Sequence, residues 1–112
     1  MAIKPGSIIW ARFARGGEKK RPAIVISDPD ADGLFFVAVG TTQSILPLPD
    51  HQVELPWHRG SHPMTRLRKR TVVDCTWIEK LTPAAIEDQG GVVPSAKLIE
   101  ILKKAEPHLP TA

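Results

Sequence analysis

Residues 21–43 read RPAIVISDPDADGLFFVAVGTTQ. Two apolar runs, PAIVIS (22–27) and GLFFVAVGTT (33–42), flank DPDADG, a segment rich in Asp, Pro and Gly. Side chains of that kind make tight turns, and two strand-like runs joined so closely pair as an antiparallel hairpin. A hairpin sets the start of its first strand beside the end of its second. Arg21 therefore comes to the same rim as Thr41, Thr42 and Gln43. A guanidinium fork beside two hydroxyls and an amide suits a phosphate group, through two-point charged hydrogen bonds.

Outward from the hairpin, SIIWARF (7–13) reads as a strand, HQVEL (51–55) as a shorter one, and RTVVDCTWI (70–78) as a fifth. The period then changes. Leu98, Ile99, Ile101, Leu102 and Ala105 recur at helical spacing, with Ser95 as the expected N-cap, Lys103 and Lys104 near the C-terminal end, and Pro107 as the stop. Residues 82–88 add one helical turn, with Thr82 as cap and Pro83 at its first position. Five or more strands followed by one helix, without alternation, predict a mainly β fold: a small antiparallel barrel with a C-terminal α-helix. Four prolines between residues 43 and 69 make that segment a long loop.

The chain has 112 residues, the length of one domain spanning 1–112. Its one cysteine, Cys75, excludes an internal disulfide and a multi-Cys zinc site, and its apolar neighbours predict a buried thiol. No apolar stretch is long enough to span a membrane, and the first residues lack the features of a signal peptide, so a cytoplasmic location is expected. The net charge is only +3, but its distribution is uneven. Arg12, Arg15, Lys19, Lys20 and Arg21 form one basic cluster, and Arg59, Arg66, Arg68, Lys69 and Arg70 a second; no acidic residue lies between Glu54 and Asp74. Charge runs are usually solvated loops. Two of them in one small domain also fit a phosphate backbone or an acidic partner. If 66–70 is extended, Arg66, Arg68 and Arg70 share a face.

Other motifs carry less. Asp28, Asp30, Asp32 and Gly33 fall at the first positions of a calcium loop, but the twelfth is Val39 and the flanks are strands, so a turn is expected. His58 and His62 are four apart, a metal spacing only on a helix, which Gly60 and Pro63 oppose. Neither a metal site nor a cofactor is expected.

In the order KPGSIIWARF, GEKKRPAIVIS, VAVGTTQ, VVDCTWIEKLTPAAI and SAKLIEILKKA, the sequence resembles the MazF/PemK family of toxin–antitoxin ribonucleases over nearly its whole length. The resemblance implies an SH3-like barrel that forms a homodimer, pairs with a cognate antitoxin, and cleaves single-stranded RNA without metal through attack by the ribose 2′-hydroxyl. It also implies that Arg21 and Thr41 are the catalytic groups, supported by Glu18, Thr42, Gln43 and Asp74, with Lys19, Lys20, Arg66, Arg68 and Arg70 holding RNA. One departure stands out. Where some relatives carry Arg-x-Asp on the later strand, an ungapped match places Asp74 and Thr76 here, so the arginine is missing and the carboxylate is two residues early. An even shift lets Asp74 keep the same strand face, at a different height. The departure leaves two alternatives: a non-catalytic barrel that binds RNA or poisons DNA gyrase, or a silenced toxin retained for its antitoxin.

Overall fold

The computed structural model describes residues 3–15, 17–42 and 47–109. Six strands form one antiparallel sheet: β1 (Ser7–Arg12), β2 (Lys20–Val25), β3 (Phe35–Thr41), β4 (Gln52–Glu54), β5 (Val72–Leu81) and β6 (Asp88–Val92), in the spatial order β4-β5-β3-β2-β1-β6. One α-helix, α1 (Ser95–Ala105), follows, and 3₁₀ turns occupy Pro83–Ala85 and Glu106–His108. The sheet curls into a half-barrel with the helix packed against it, as the strand and helix periods predict.

β2 and β3 read as continuous apolar runs because both faces of the sheet's centre are buried. Ile8, Ile24, Ala38, Val73 and Cys75 belong to a cluster shared with Ile101 and Ala105 of α1. Their chain neighbours Ile9, Ala23, Val25, Val37 and Val39 form a second cluster with Phe13 and Phe35. The β2–β3 connection is the expected turn. Asp30 Oδ1 accepts the backbone N–H groups of Asp32 and Leu34 at 2.9 and 3.0 Å, and Gly33 supplies a φ of +81°. The bond from Leu34 is the main reason the Asp30 carboxyl sits below its usual pKa.

Six strands agree with the five or more expected, and four details add to that expectation or correct it. The glycine pair in β6, DQGGV, depresses strand propensity and hid that strand. The pair sits in a one-residue bulge against β1, with Ser7 opposite Val92 but Ile9 opposite Gln89. There Gly91 donates its N–H to Thr65 O, and the next residue, Val92, donates to Met64 O at 2.9 Å. Second, the α1 N-cap is Pro94 rather than Ser95, and among the described residues no side chain caps the helix. Third, residues 66–71 are not a strand. Arg66 has a φ of +61°, and buried Thr65 organises the bend by donating Oγ1–H to Pro56 O (2.8 Å) while accepting from Leu67 N (3.2 Å). Arg66, Arg68 and Arg70 therefore have no common strand face.

The fourth correction concerns β5. It pairs with β3 as Gly40↔Val73 and then Ala38↔Ile78, so Asp74, Cys75, Thr76 and Trp77 together face the single residue Val39. A bulge of this kind breaks side-chain alternation. Val73, Cys75 and Ile78 pack in the helix-side cluster, whereas Trp77 packs in the opposite one with Phe13. The even-shift argument for Asp74 presumed a regular strand and does not hold through this segment.

Candidate anion-binding cleft

The β2–β3 register runs Ala23↔Val39, Ile24↔Ala38 and Val25↔Val37. Continued by two residues, it sets Arg21 opposite Thr41, as the hairpin predicts. Both line a cleft of about 250 Å³, together with Trp10, Lys19, Lys20, Pro22, Thr42 and Lys69. Gly40 permits the close approach beneath it: a Cβ there would stand 3.1 Å from Pro22 O and 3.2 Å from Val72 O.

The loop that delivers Lys19–Arg21 is held by its own backbone. Gly17 and Glu18 both take positive φ (+80° and +61°), Glu18 N–H donates to Phe13 O at 3.1 Å, and Arg12 Nη1 donates to Glu18 O at 3.1 Å. Arg12 Nε also meets Glu87 Oε2 at 2.9 Å, so this arginine of the first cluster ties the loop to the segment before β6. Lys20 Nζ pairs with Asp88 Oδ2 across the same seam.

The two basic clusters, far apart in sequence, meet at Trp10. Arg66, Arg68 and Lys69 line an adjoining cavity of about 270 Å³ with Trp10, Leu67 and Thr71. Lys69 and Trp10 belong to both hollows. Lys69 stands out in the sequence only as a member of the second basic cluster and Trp10 not at all, because their proximity depends on the non-strand path of 66–71.

The remaining expected site residues fall elsewhere. Arg70 Nε donates to Glu54 Oε1 at 2.6 Å and is not among the cleft-lining residues. Glu18 is exposed on the lip, immediately before Lys19. Asp74 also lies outside the lining; its Oδ1 accepts from Thr76 N and Thr76 Oγ1, and His51 Nε2 stands 3.9 Å away. Gln43 lies outside the described residues. His58 Nδ1 accepts Gly60 N–H and His62 Nδ1 accepts Met64 N–H, so both imidazoles serve loop geometry. Among the described residues no group of three or more His, Cys, Asp or Glu side chains is placed to hold a metal ion, and no helix is long and apolar enough to cross a membrane. Burial pushes the Cys75 thiol up to about 11.

A curled antiparallel half-barrel with a cationic cleft at one hairpin rim defines a small β domain with a candidate anion-binding site. The chain belongs to the family described as PemK-like, MazF-like toxins of type II toxin–antitoxin systems, whose model matches residues 4–109. Among solved structures it is similar to a MazF from Deinococcus radiodurans, with 21% identity over 96% of each chain and a TM-score of 0.74. It is also similar to an endoribonuclease in complex with its cognate antitoxin from a mycobacterial species, with 18% identity over 99% of this chain and 100% of that one (TM-score 0.71). A third is the Mycobacterium tuberculosis toxin MazF-mt6, with 16% identity over 94% of this chain and 95% of that one (TM-score 0.68). No curated protein matches the chain in a sequence comparison.

Proposed function

We propose that this chain is a toxin endoribonuclease that cuts single-stranded RNA in the cleft between β2 and β3. The observation that carries the reading is the meeting of Arg21 and Thr41 in one hollow with Lys19, Lys20 and Lys69. Membership of the toxin family and a fold shared with an endoribonuclease support it.

In the proposed reaction the ribose 2′-oxygen attacks the adjacent phosphorus as the bond to the 5′-oxygen breaks. A base takes the 2′-hydroxyl proton, and an acid returns one to the leaving 5′-oxygen. The products are a 2′,3′-cyclic phosphate and a 5′-hydroxyl end. Charge accumulates on the equatorial phosphate oxygens, and a guanidinium fork with a neighbouring hydroxyl opposes it most where it is greatest. Arg21 and Thr41 take that role, with Thr42 beside them and Gln43 next in the chain. Lys19, Lys20 and Lys69 hold the strand, and Arg66 and Arg68 extend the basic surface. Glu18 borders the site as a candidate proton carrier. Asp74 acts on the β5 bulge rather than on the phosphate, and Arg70 acts on Glu54.

The reading needs no metal or cofactor. It includes a homodimer and a cognate antitoxin; solved relatives from D. radiodurans are MazE–MazF complexes. No observation of the structure favours the gyrase-poison alternative.

The test is incubation of the purified protein with a mixed-sequence RNA in excess EDTA, followed by end mapping. Cyclic-phosphate and 5′-hydroxyl ends are expected from wild type, with Arg21→Ala slower by roughly a hundredfold or more, the usual cost of an electrostatic transition-state contact. Equal cutting by both proteins would refute the assignment.

A further inference from the structure

Past the cleft, the Trp77 ring carries two guanidinium groups. Arg15 Cζ stands 4.7 Å and Arg21 Cζ 5.4 Å from the ring centroid. The ring is held independently of either arginine. The β5 bulge turns it to this face, its Nε1–H donates to Glu79 Oε2 at 2.9 Å, and the Phe13 ring meets it edge-on at 6.1 Å and 64°. An aromatic face attracts a cation, and a flat guanidinium stacks on it well. Two cations on one ring still repel each other, and a polyanion lying across both relieves that repulsion.

Arg15 is exposed and, among the described residues, forms no ion pair. Glu79, the carboxylate at the ring, is occupied by the indole N–H. Neither Arg15 nor Trp77 lines the cleft, so the pair extends the positive surface from Arg21 across the sheet face.

We infer that Arg15 is a second anion-binding group, taking the phosphodiester next to the one at Arg21 in a single-stranded nucleic acid, and that Trp77 is the positioning residue that holds both arginines. The inference deepens the nucleic-acid reading of the site and rests on it. It does not require cleavage.

The test uses a fluorescein-labelled single-stranded DNA oligonucleotide, which lacks the 2′-hydroxyl and cannot be cut by this chemistry. Affinity is read by anisotropy over a series of salt concentrations. Arg15→Gln is expected to weaken binding several-fold and to flatten the slope of log K against log salt by about 0.7, one phosphate contact on a single strand. Trp77→Leu moves both quantities the same way, Trp77→Phe retains most of the wild-type values, and Lys97→Gln on the distant helix changes neither.

An unchanged slope in Arg15→Gln would overturn the inference. So would a wild type that does not bind the oligonucleotide, or Arg15-dependent binding of a poly-glutamate peptide in its place. Should Trp77→Leu lose its native circular dichroism, Arg15→Gln, with the ring intact, decides alone. A wild type with an Arg15-dependent slope that never cuts RNA upholds this inference and removes the endoribonuclease reading.

Discussion

Asp74 Oδ1 accepts two hydrogen bonds from Thr76, one from its backbone N–H at 2.9 Å and one from its hydroxyl at 2.6 Å. These bonds close the β5 bulge within three residues. Asp74→Ala should therefore destabilise the fold by about 1–2 kcal/mol, the cost of losing two partly exposed bonds to a charged acceptor. Asp74→Asn retains an acceptor oxygen and should lose less. Urea unfolding of the two variants checks the order. The reverse order would mean that the carboxylate works elsewhere.

Gly91 lies against the backbone of residues 64 and 65, and a Cβ there would stand 1.8 Å from Met64 O. Backbone cannot yield as a flexible side chain can. Gly91→Ala should cost about 3 kcal/mol or more, in the range of severe steric substitutions. At the neighbouring Gly90 the nearest atoms to an added Cβ belong to Ile8, at 3.3 Å and beyond, and Gly90→Ala should cost less. Thermal denaturation of both separates them.

In the proposed reaction Thr41 supplies a hydroxyl to the phosphate. Thr41→Val keeps its shape and removes the hydrogen bond, and should lower kcat by about ten- to a hundredfold with little change in melting temperature. Glu18→Gln, which keeps the side chain's shape and removes its charge, should slow the same step by about a hundredfold, in keeping with a proton-transfer role. Single-turnover cleavage across pH measures both.

The Cys75 thiol should resist thiol-modifying reagents at neutral pH in the folded protein and react fully in urea, because burial raises it to about 11 from 9.0. Between those two values the unfolded chain loses the proton while the folded chain keeps it. Stability should therefore fall as pH rises from about 9 to about 11, and Cys75→Ala should flatten that fall. Equilibrium unfolding in alkaline buffers is the measurement.

The hairpin, and with it the meeting of Arg21 and Thr41, was legible in the sequence because a short Asp/Gly turn fixes register locally. Two features were not. β6 is a strand by virtue of its neighbours: Gly90 and Gly91 have no strand preference of their own, and only contact with β1 and the 64–65 backbone makes them extended. The β5 bulge leaves no mark on composition either, since Val72 to Trp77 suit a regular strand equally well. The bulge sets Trp77 on the face opposite Cys75, where strict alternation does not place it, and with that comes the contact to Arg15. Lys69 and Trp10 escaped for a related reason: the path of 66–71 is set by Thr65 through bonds to Pro56 and Leu67.

The cleft draws on Trp10 of β1, Lys20–Pro22 of β2, Thr41 at the end of β3, and Lys69 from the long loop. No contiguous peptide holds more than a fraction of it, so the site exists only when the whole sheet does. Whatever the cleft does to a cell is then a matter of dose. A destabilising change far from the cleft lowers the number of competent molecules without altering any one of them, while a change at Arg21 spoils every molecule and leaves their number intact. Attenuated variants of this chain should sort into those two kinds, and folded protein per cell tells them apart.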